Sequence, residues 1–309
     1  MRVAIAPCTA LLAAILGATF PGPANAAASD PVHGAAASLQ VVDDEGSIVV
    51  LASPAQRVVS LSPGITELLF TLGAGPHIVG ASEFSDYPAG ARDLPRVSRA
   101  QGIDLERIAS LHPDLIVTWG SGYSPGLLQA LRSLGVPVFV QEARSLESIA
   151  SAIERLGKLV GAPDAPAIAA RFRERRDALA QKYSQRNAVR AFVQVWANPV
   201  MTLSGKHLES ELLRTCGATN VFASLGPLVA TVDHEAVVAA KPQIMLSAES
   251  GGVDHGALDE WRKFPAIPAV AKGMLVTLDA DELDRASVRI LDVTQTMCEK
   301  VEEAREKYR

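Results

Sequence analysis

Two glutamates, Glu106 and Glu235, occupy the same place in a cassette that the chain carries twice. The first copy runs Asp104-Leu105-Glu106-Arg107-Ile108-Ala109-Ser110-Leu111-His112-Pro113-Asp114-Leu115-Ile116-Val117. The second runs Asp233-His234-Glu235-Ala236-Val237-Val238-Ala239-Ala240-Lys241-Pro242-Gln243-Ile244-Met245-Leu246, with Asp, Glu, the apolar positions and Pro in step. In each copy the Asp can cap the first turn of a helix, and the Glu lies within that turn. One reading of such a Glu is local, since the helix dipole favours a carboxylate there by a few tenths to about 1 kcal/mol. Another is a partner with two-fold symmetric arginines, because carboxylate and guanidinium make directional, paired hydrogen bonds.

The chain has no phosphate loop and no H-E-x-x-H, and Gly73-Ala74-Gly75 lacks the third glycine and the spacing of a dinucleotide fingerprint. His33, His77, His112, His207, His234 and His255 sit singly, with no pair at ligand spacing on one element, so no metal site is expected from them. Nothing in these residues reads as an enzyme, and no cofactor is expected. A periplasmic α/β enzyme is the remote alternative.

The elements that must position the glutamates are themselves echoed. Thr66-Glu67-Leu68-Leu69-Phe70-Thr71-Leu72-Gly73-Ala74 precedes the first cassette as Ser210-Glu211-Leu212-Leu213-Arg214-Thr215-Cys216-Gly217-Ala218 precedes the second. Two echoes in one order imply two similar lobes with a cleft between them, at a period far too long for a solenoid. Short apolar strands at 57–61, 78–81, 115–119 and 138–141 alternate with helices, which marks a parallel, doubly wound sheet. Residues 39–42 and 47–51 flank Asp43-Asp44-Glu45-Gly46 and read as an edge hairpin. After a helix at 146–160, Gly161-Ala162-Pro163 breaks the chain. A second helix at 166–183 then spans roughly 30 Å, enough for a spine between lobes. A surface helix of one lobe is the plainer reading of that segment. The expected organisation is an N-terminal lobe over 38–160, a spine over 163–186 and a C-terminal lobe over 188–309.

Bulk properties narrow the setting. At 309 residues the chain can bury two ordinary cores, and its net charge of -5 argues against nucleic acid or an anionic membrane as partner. Arg2, the apolar run at 10–16 and Ala24-Asn25-Ala26 read as a secretory signal peptide over 1–26, and no later stretch approaches the ~20 apolar residues of a membrane span. The mature chain would keep Cys216 and Cys298, an even pair that in an exported protein is usually a disulfide; two free buried thiols are the other possibility.

Several motifs together carry a resemblance. Val59-Ser60-Leu61-Ser62-Pro63 with Thr66-Glu67-Leu68, then Ser85-Asp86-Tyr87-Pro88, Val97-Ser98, Gln101-Gly102-Ile103-Asp104-Leu105-Glu106-Arg107-Ile108, Pro113-Asp114-Leu115-Ile116 and Trp119, resembles the family of periplasmic iron-chelate and vitamin B12 binding proteins of ABC importers. The likeness continues through Asn198-Pro199, Ser204-Gly205-Lys206, Cys216-Gly217 and Arg285-Ala286-Ser287 to Cys298, and so spans 57–309. It implies an α/β fold of two Rossmann-like lobes with parallel sheets, joined by one long helix, with a shallow cleft and little hinge motion. It implies a periplasmic protein, expected as a monomer, that docks Glu106 and Glu235 on arginines of a permease dimer in the inner membrane. It also matches Cys216 and Cys298 to the family's disulfide.

The cargo implied by the B12-like motifs is cobalamin or a related corrinoid, with heme or a ferric siderophore as the alternative. A corrinoid is a wide, mostly apolar disc with amide edges, which calls for aromatic faces and a few polar tips. Phe84, Trp119, Asp281 and Arg285 match ligand-facing positions of the B12 binders, and Trp119 ends a strand where α/β clefts form. Ala100 falls where the resemblance leads one to expect a tryptophan and Val229 near another such position, a departure that would weaken binding or widen the pocket for another chelate. Trp196 and Tyr123 are the aromatics available to compensate, and Tyr123 is also the candidate ligand if the cargo were heme.

Overall fold

The computed structural model describes residues 38–99 and 102–309, so the signal peptide expected over 1–26 lies outside the described residues, as does Ala100. The first lobe contains β1 (Leu39–Val42), β2 (Ile48–Leu51), β3 (Val58–Ser60), α1 (Pro63–Thr71), β4 (Ile78–Ala81), β5 (Ser98–Arg99), β6 (Gly102–Ile103), α2 (Leu105–Ser110), β7 (Leu115–Trp119), α3 (Pro125–Arg132), β8 (Val138–Gln141) and α4 (Leu146–Val160). Then come α5 (Ala165–Tyr183), β9 (Val189–Ala197), β10 (Val200–Leu203), α6 (Leu208–Thr215), β11 (Ala218–Asn220), β12 (Val229–Thr231), α7 (His234–Ala240), β13 (Ile244–Glu249), α8 (Pro268–Ala271), β14 (Leu275–Asp279), α9 (Ala280–Leu283) and α10 (Ile290–Lys307). Among the described residues, no helix is long and apolar enough to cross a membrane.

The first sheet has the order β4-β3-β7-β8 and is parallel throughout. Its strands are almost wholly buried because helices cover both faces, which is why they read as unbroken apolar runs. Trp119 is the exception, emerging at the C-terminal end of β7. The β1-β2 hairpin is pinned to the edge of this sheet: Asp44 N–H donates to Val140 O (3.0 Å) and Asp44 Oδ2 accepts from Glu142 N–H (2.7 Å).

The second sheet runs β12-β10-β9-β13-β14, with β11 sharing an edge of β9. β11, β9, β13 and β14 are parallel, while β10 and β12 are antiparallel additions. The mixed character has a simple cause. Only Asn198 and Pro199 separate β9 from β10, and so short a link joins antiparallel strands, since a parallel pair needs a long crossover. The last residues of β9, from Val195 to Ala197, are exposed.

Between the two sheets the chain makes a helical pair. α4 begins with a capping box, Ser145 and Ser148 each capping the other's backbone, and ends on Gly161 in the left-handed region. α5 lies along α4 so closely that a Cβ on Gly157 would stand 2.1 Å from the Cβ of Ala165. Arg173 bridges Glu147 (2.7 Å) and Glu154 (2.6 Å) across the pair, and α5 also touches α6 and α10.

Cys216, at the end of α6, is bonded to Cys298 in α10, with Cα atoms 4.5 Å apart. The bridge closes a loop 82 residues apart in sequence. Replacing both cysteines by alanine should lower the unfolding free energy by about 2 to 4 kcal/mol in urea titrations; an unchanged midpoint would show that the bridge does not constrain the unfolded chain.

Candidate ligand cleft and docking glutamates

The duplicated cassette is duplicated in its hydrogen bonds as well as its letters. Asp104 accepts from Arg107 N–H (2.9 Å) at the start of α2, and Asp233 accepts from Ala236 N–H (2.7 Å) at the start of α7. Both helices stop on a left-handed residue, His112 at φ 45 and Lys241 at φ 46, each followed by proline. The Arg57 guanidinium closes the first helix end by donating to Leu111 O (2.6 Å), and Arg190 does the same at Ala240 O. Arg57 N–H and Asp114 Oδ1 (3.0 Å) are mirrored by Arg190 N–H and Gln243 Oε1 (2.9 Å). Glu106 and Glu235 are exposed on these two equivalent, tightly tied turns. Arg57 and Arg190 escaped the sequence reading, and the signal for them was their position just ahead of, or within, the first strand of each sheet.

The second echo does different work. Glu67 in α1 is only 2% exposed, and its carboxylate accepts from Arg285 Nη1 (3.1 Å), Arg289 Nη1 (3.1 Å) and Ser287 Oγ (2.6 Å) on the link between α9 and α10. The contact is so close that a Cβ on Gly64 would lie 2.9 Å from Ala286 N. Its counterpart Glu211, on the second lobe, accepts from Leu146 N–H (3.0 Å) at the start of α4. Burial pushes the Glu211 carboxyl up, and that hydrogen bond opposes the shift. The echoed glutamates therefore stitch each lobe to the other.

Between the lobes lies a cavity of about 440 Å³, walled by Trp119, Glu142 and Arg144 on one side and by Lys206, His207, Glu209, Val229 and Asp284 on the other. Of the ligand residues expected from sequence, only Trp119 (47% exposed) lines it. Trp196, 62% exposed, stands on an adjoining recess with Val195, its indole N–H donated to Asn198 O (2.9 Å). Phe84 is 71% exposed and held at φ 63, a region that non-glycine residues rarely occupy. Asp281 and Arg285 are brought together at 2.8 Å, but Arg285 is buried and also bonded to Asp86 (2.8 Å) and Glu67, so its donors are spent at the lobe junction. Val229 does border the cavity. Tyr123 is committed to the first lobe's core, with its hydroxyl donating to Leu61 O (2.8 Å), and burial raises its phenol above the ordinary range.

Glu142, Arg144, His207, Glu209 and Asp284 were not foreseen. Glu209 lies in the first turn of α6, where an acidic side chain usually meets solvent, yet it is 6% exposed. Burial, with the neighbouring Asp284 charge adding to it, pushes the Glu209 carboxyl up to about 8. Asp284 opens toward cleft water, but the cleft walls and then Asp281 raise its carboxyl to about 6, with Arg285 opposing. Burial lowers the His207 imidazole, whose Nδ1 accepts from Glu209 N–H (3.4 Å). Among the described residues, no group of three or more His, Cys, Asp or Glu could hold a metal.

Two α/β lobes facing a ligand-sized cleft are the architecture of a periplasmic binding protein, and residues 58–282 match the model of that family. The chain belongs to it. It is 34% identical over 255 residues to a vitamin B12-binding protein of Vibrio campbellii, covering 82% of this chain and 92% of that one. Among solved structures it resembles the periplasmic vitamin B12 binding protein of Vibrio cholerae, with a TM-score of 0.75 and 34% identity, over 82% of this chain and 98% of that one. A periplasmic heme-binding protein solved with two hemes is similar at a TM-score of 0.70 and 25% identity, over 82% and 99% of the two chains. These relatives are binding proteins, not enzymes.

The buried Glu209 makes stability depend on pH. Its folded value of about 8 lies above the ordinary 4.5, so the folded state keeps a proton that the unfolded chain loses, and stability falls as pH rises from 4.5 to 8. Urea titrations at pH 5 and pH 8 should show Glu209→Gln narrowing that loss by about 2 to 4 kcal/mol; an equal loss in both proteins would refute the assignment.

Proposed function

We propose that this chain captures cobalamin or a closely related corrinoid in the inter-lobe cavity and hands it to an ABC importer in the inner membrane. The observation that carries the reading is its relatedness, over most of both chains, to vitamin B12-binding proteins. The cavity supports it: Trp119 offers a face for a flat macrocycle, while Lys206, Glu142 and Arg144 on the rim suit amide edges. Trp196, exposed on the adjoining recess, and the exposed Phe84 are the further aromatic faces this reading assigns to the ligand, and Asp281 supplies a polar tip held by Arg285. Val229, in place of a larger ring, leaves the cavity open on the second lobe. Heme is less well served, because Tyr123 has its hydroxyl donated to a backbone carbonyl.

In this reading the chain works as a periplasmic monomer after loss of residues 1–26. Residues 38–160 and 188–309 act as the lobes and 163–186 as the spine. Glu106 and Glu235 dock on arginines of the permease dimer. Their platforms, each capped by Asp and closed by Arg, suit that task because a docking anion must be held in place.

Calorimetry should give one tight site for cyanocobalamin and no comparable heat with hemin or a ferric siderophore, and Trp119→Ala should weaken the site by about tenfold or more. Tight hemin binding with silence toward cobalamin would overturn the cargo. In vesicles carrying the cognate importer, Glu106→Ala with Glu235→Ala should abolish uptake while leaving cobalamin affinity unchanged; undiminished uptake would remove the docking role.

A further inference from the structure

Behind the main cavity the second lobe contains a smaller recess of about 60 Å³, room for a few water-sized groups. Val195, Glu209, Leu283 and Asp284 line both spaces, so the recess opens onto the cleft. Two buried polar atoms on its wall, Glu209 Oε2 and Ser247 Oγ, have no hydrogen-bond partner in the protein. Their residues are 6% and 2% exposed. Gln194, also on the wall, is already engaged, donating to Ala257 O (2.6 Å) and accepting from the Trp261 indole N–H (2.7 Å). A buried carboxyl oxygen and a buried hydroxyl left unpaired on the wall of one recess are costly, and native structures keep few such groups without a use for them.

We infer that this recess is a subsite for one primary-amide arm of the ligand, which pairs with the Glu209 carboxylic acid and the Ser247 hydroxyl. A neutral carboxylic acid presents one O–H donor and one carbonyl acceptor side by side, the complement of an amide's carbonyl and N–H; an ionised carboxylate offers acceptors only. Burial keeps Glu209 in the neutral form at pH 7. The apolar remainder of the wall, with Leu246, Leu278 and Met297, excludes the water that would compete for those hydrogen bonds. The inference rests on the corrinoid reading and deepens it, since the amide rim of a corrinoid supplies the arm.

The charged surroundings are consistent with a neutral Glu209. Asp284 stands at the mouth, with Asp281 and Arg285 acting on it. His207 Nδ1 lies 3.9 Å from Glu209 Oε1 but accepts the Glu209 backbone N–H, so it carries no proton there, and Glu142 and Arg144 face His207 from the other lobe.

Calorimetric titration of the full protein with cyanocobalamin between pH 7 and pH 9 tests this. Wild-type affinity should fall about tenfold between pH 7 and pH 9 as Glu209 ionises. Glu209→Gln, which carries a donor and an acceptor at every pH, should flatten that profile. Glu209→Leu should cost about tenfold or more at pH 7. A flat wild-type profile, or a folded Glu209→Leu protein that binds as tightly as wild type, would overturn the subsite while leaving the cargo standing. A wild-type protein that binds no corrinoid at any pH would overturn both.

Discussion

One buried carboxylate, Glu67, holds the arrangement on which the cleft depends. It sits where α1 of the first lobe meets the α9–α10 link of the second, and takes two guanidinium groups and a hydroxyl. Leaving such a charge unpaired would cost about 3 to 5 kcal/mol, so these contacts favour the lobe arrangement that satisfies it. Arg285 extends the lock to Asp86 and Asp281, and Arg289 extends it to Glu282 and the face of Tyr87, 4.0 Å from the ring centroid. Glu211 makes a second tie in the opposite direction, to the start of α4. The cleft walls inherit their spacing from these contacts.

The internal duplication divides into two tasks. The cassette repeats an outward-facing turn, with an Asp cap, a left-handed stop before proline and an arginine across the helix end, and leaves one glutamate exposed on each lobe. The earlier echo repeats an inward-facing glutamate that joins the lobes. A fixed junction gives the two exposed glutamates a fixed separation. The proposed docking on a permease would use that separation.

Much of the fold was legible because local physics wrote it locally. Ser62-Pro63 and Gly73 bound α1, unbroken apolar runs mark β3, β7 and β8, and Cys216 and Cys298 were the only cysteines left for a bridge. The antiparallel β10 and β12 were not read, because an all-parallel sheet was assumed where Asn198-Pro199 allows only a turn back. The site was harder. Glu67 finds its partners 218 to 222 residues away, which no local pattern encodes, and Arg285, expected at the ligand, is consumed by that contact. Glu209 looks like an ordinary first-turn acid until the fold buries it. Trp119 was legible because the C-terminal end of a parallel strand is where such clefts open.

The central claim is that the Glu67 junction sets the distance between the lobes and that cargo binding does not change it. Spin labels at Ser110 and Ala239, equivalent exposed positions on the two cassettes, report that distance by pulsed electron spin resonance. The account predicts one narrow distance in the wild-type protein, the same with and without cyanocobalamin, and a broad distribution in Glu67→Ala. A distance that moves by several ångströms on adding ligand, or a Glu67→Ala distribution as narrow as wild type, would contradict it.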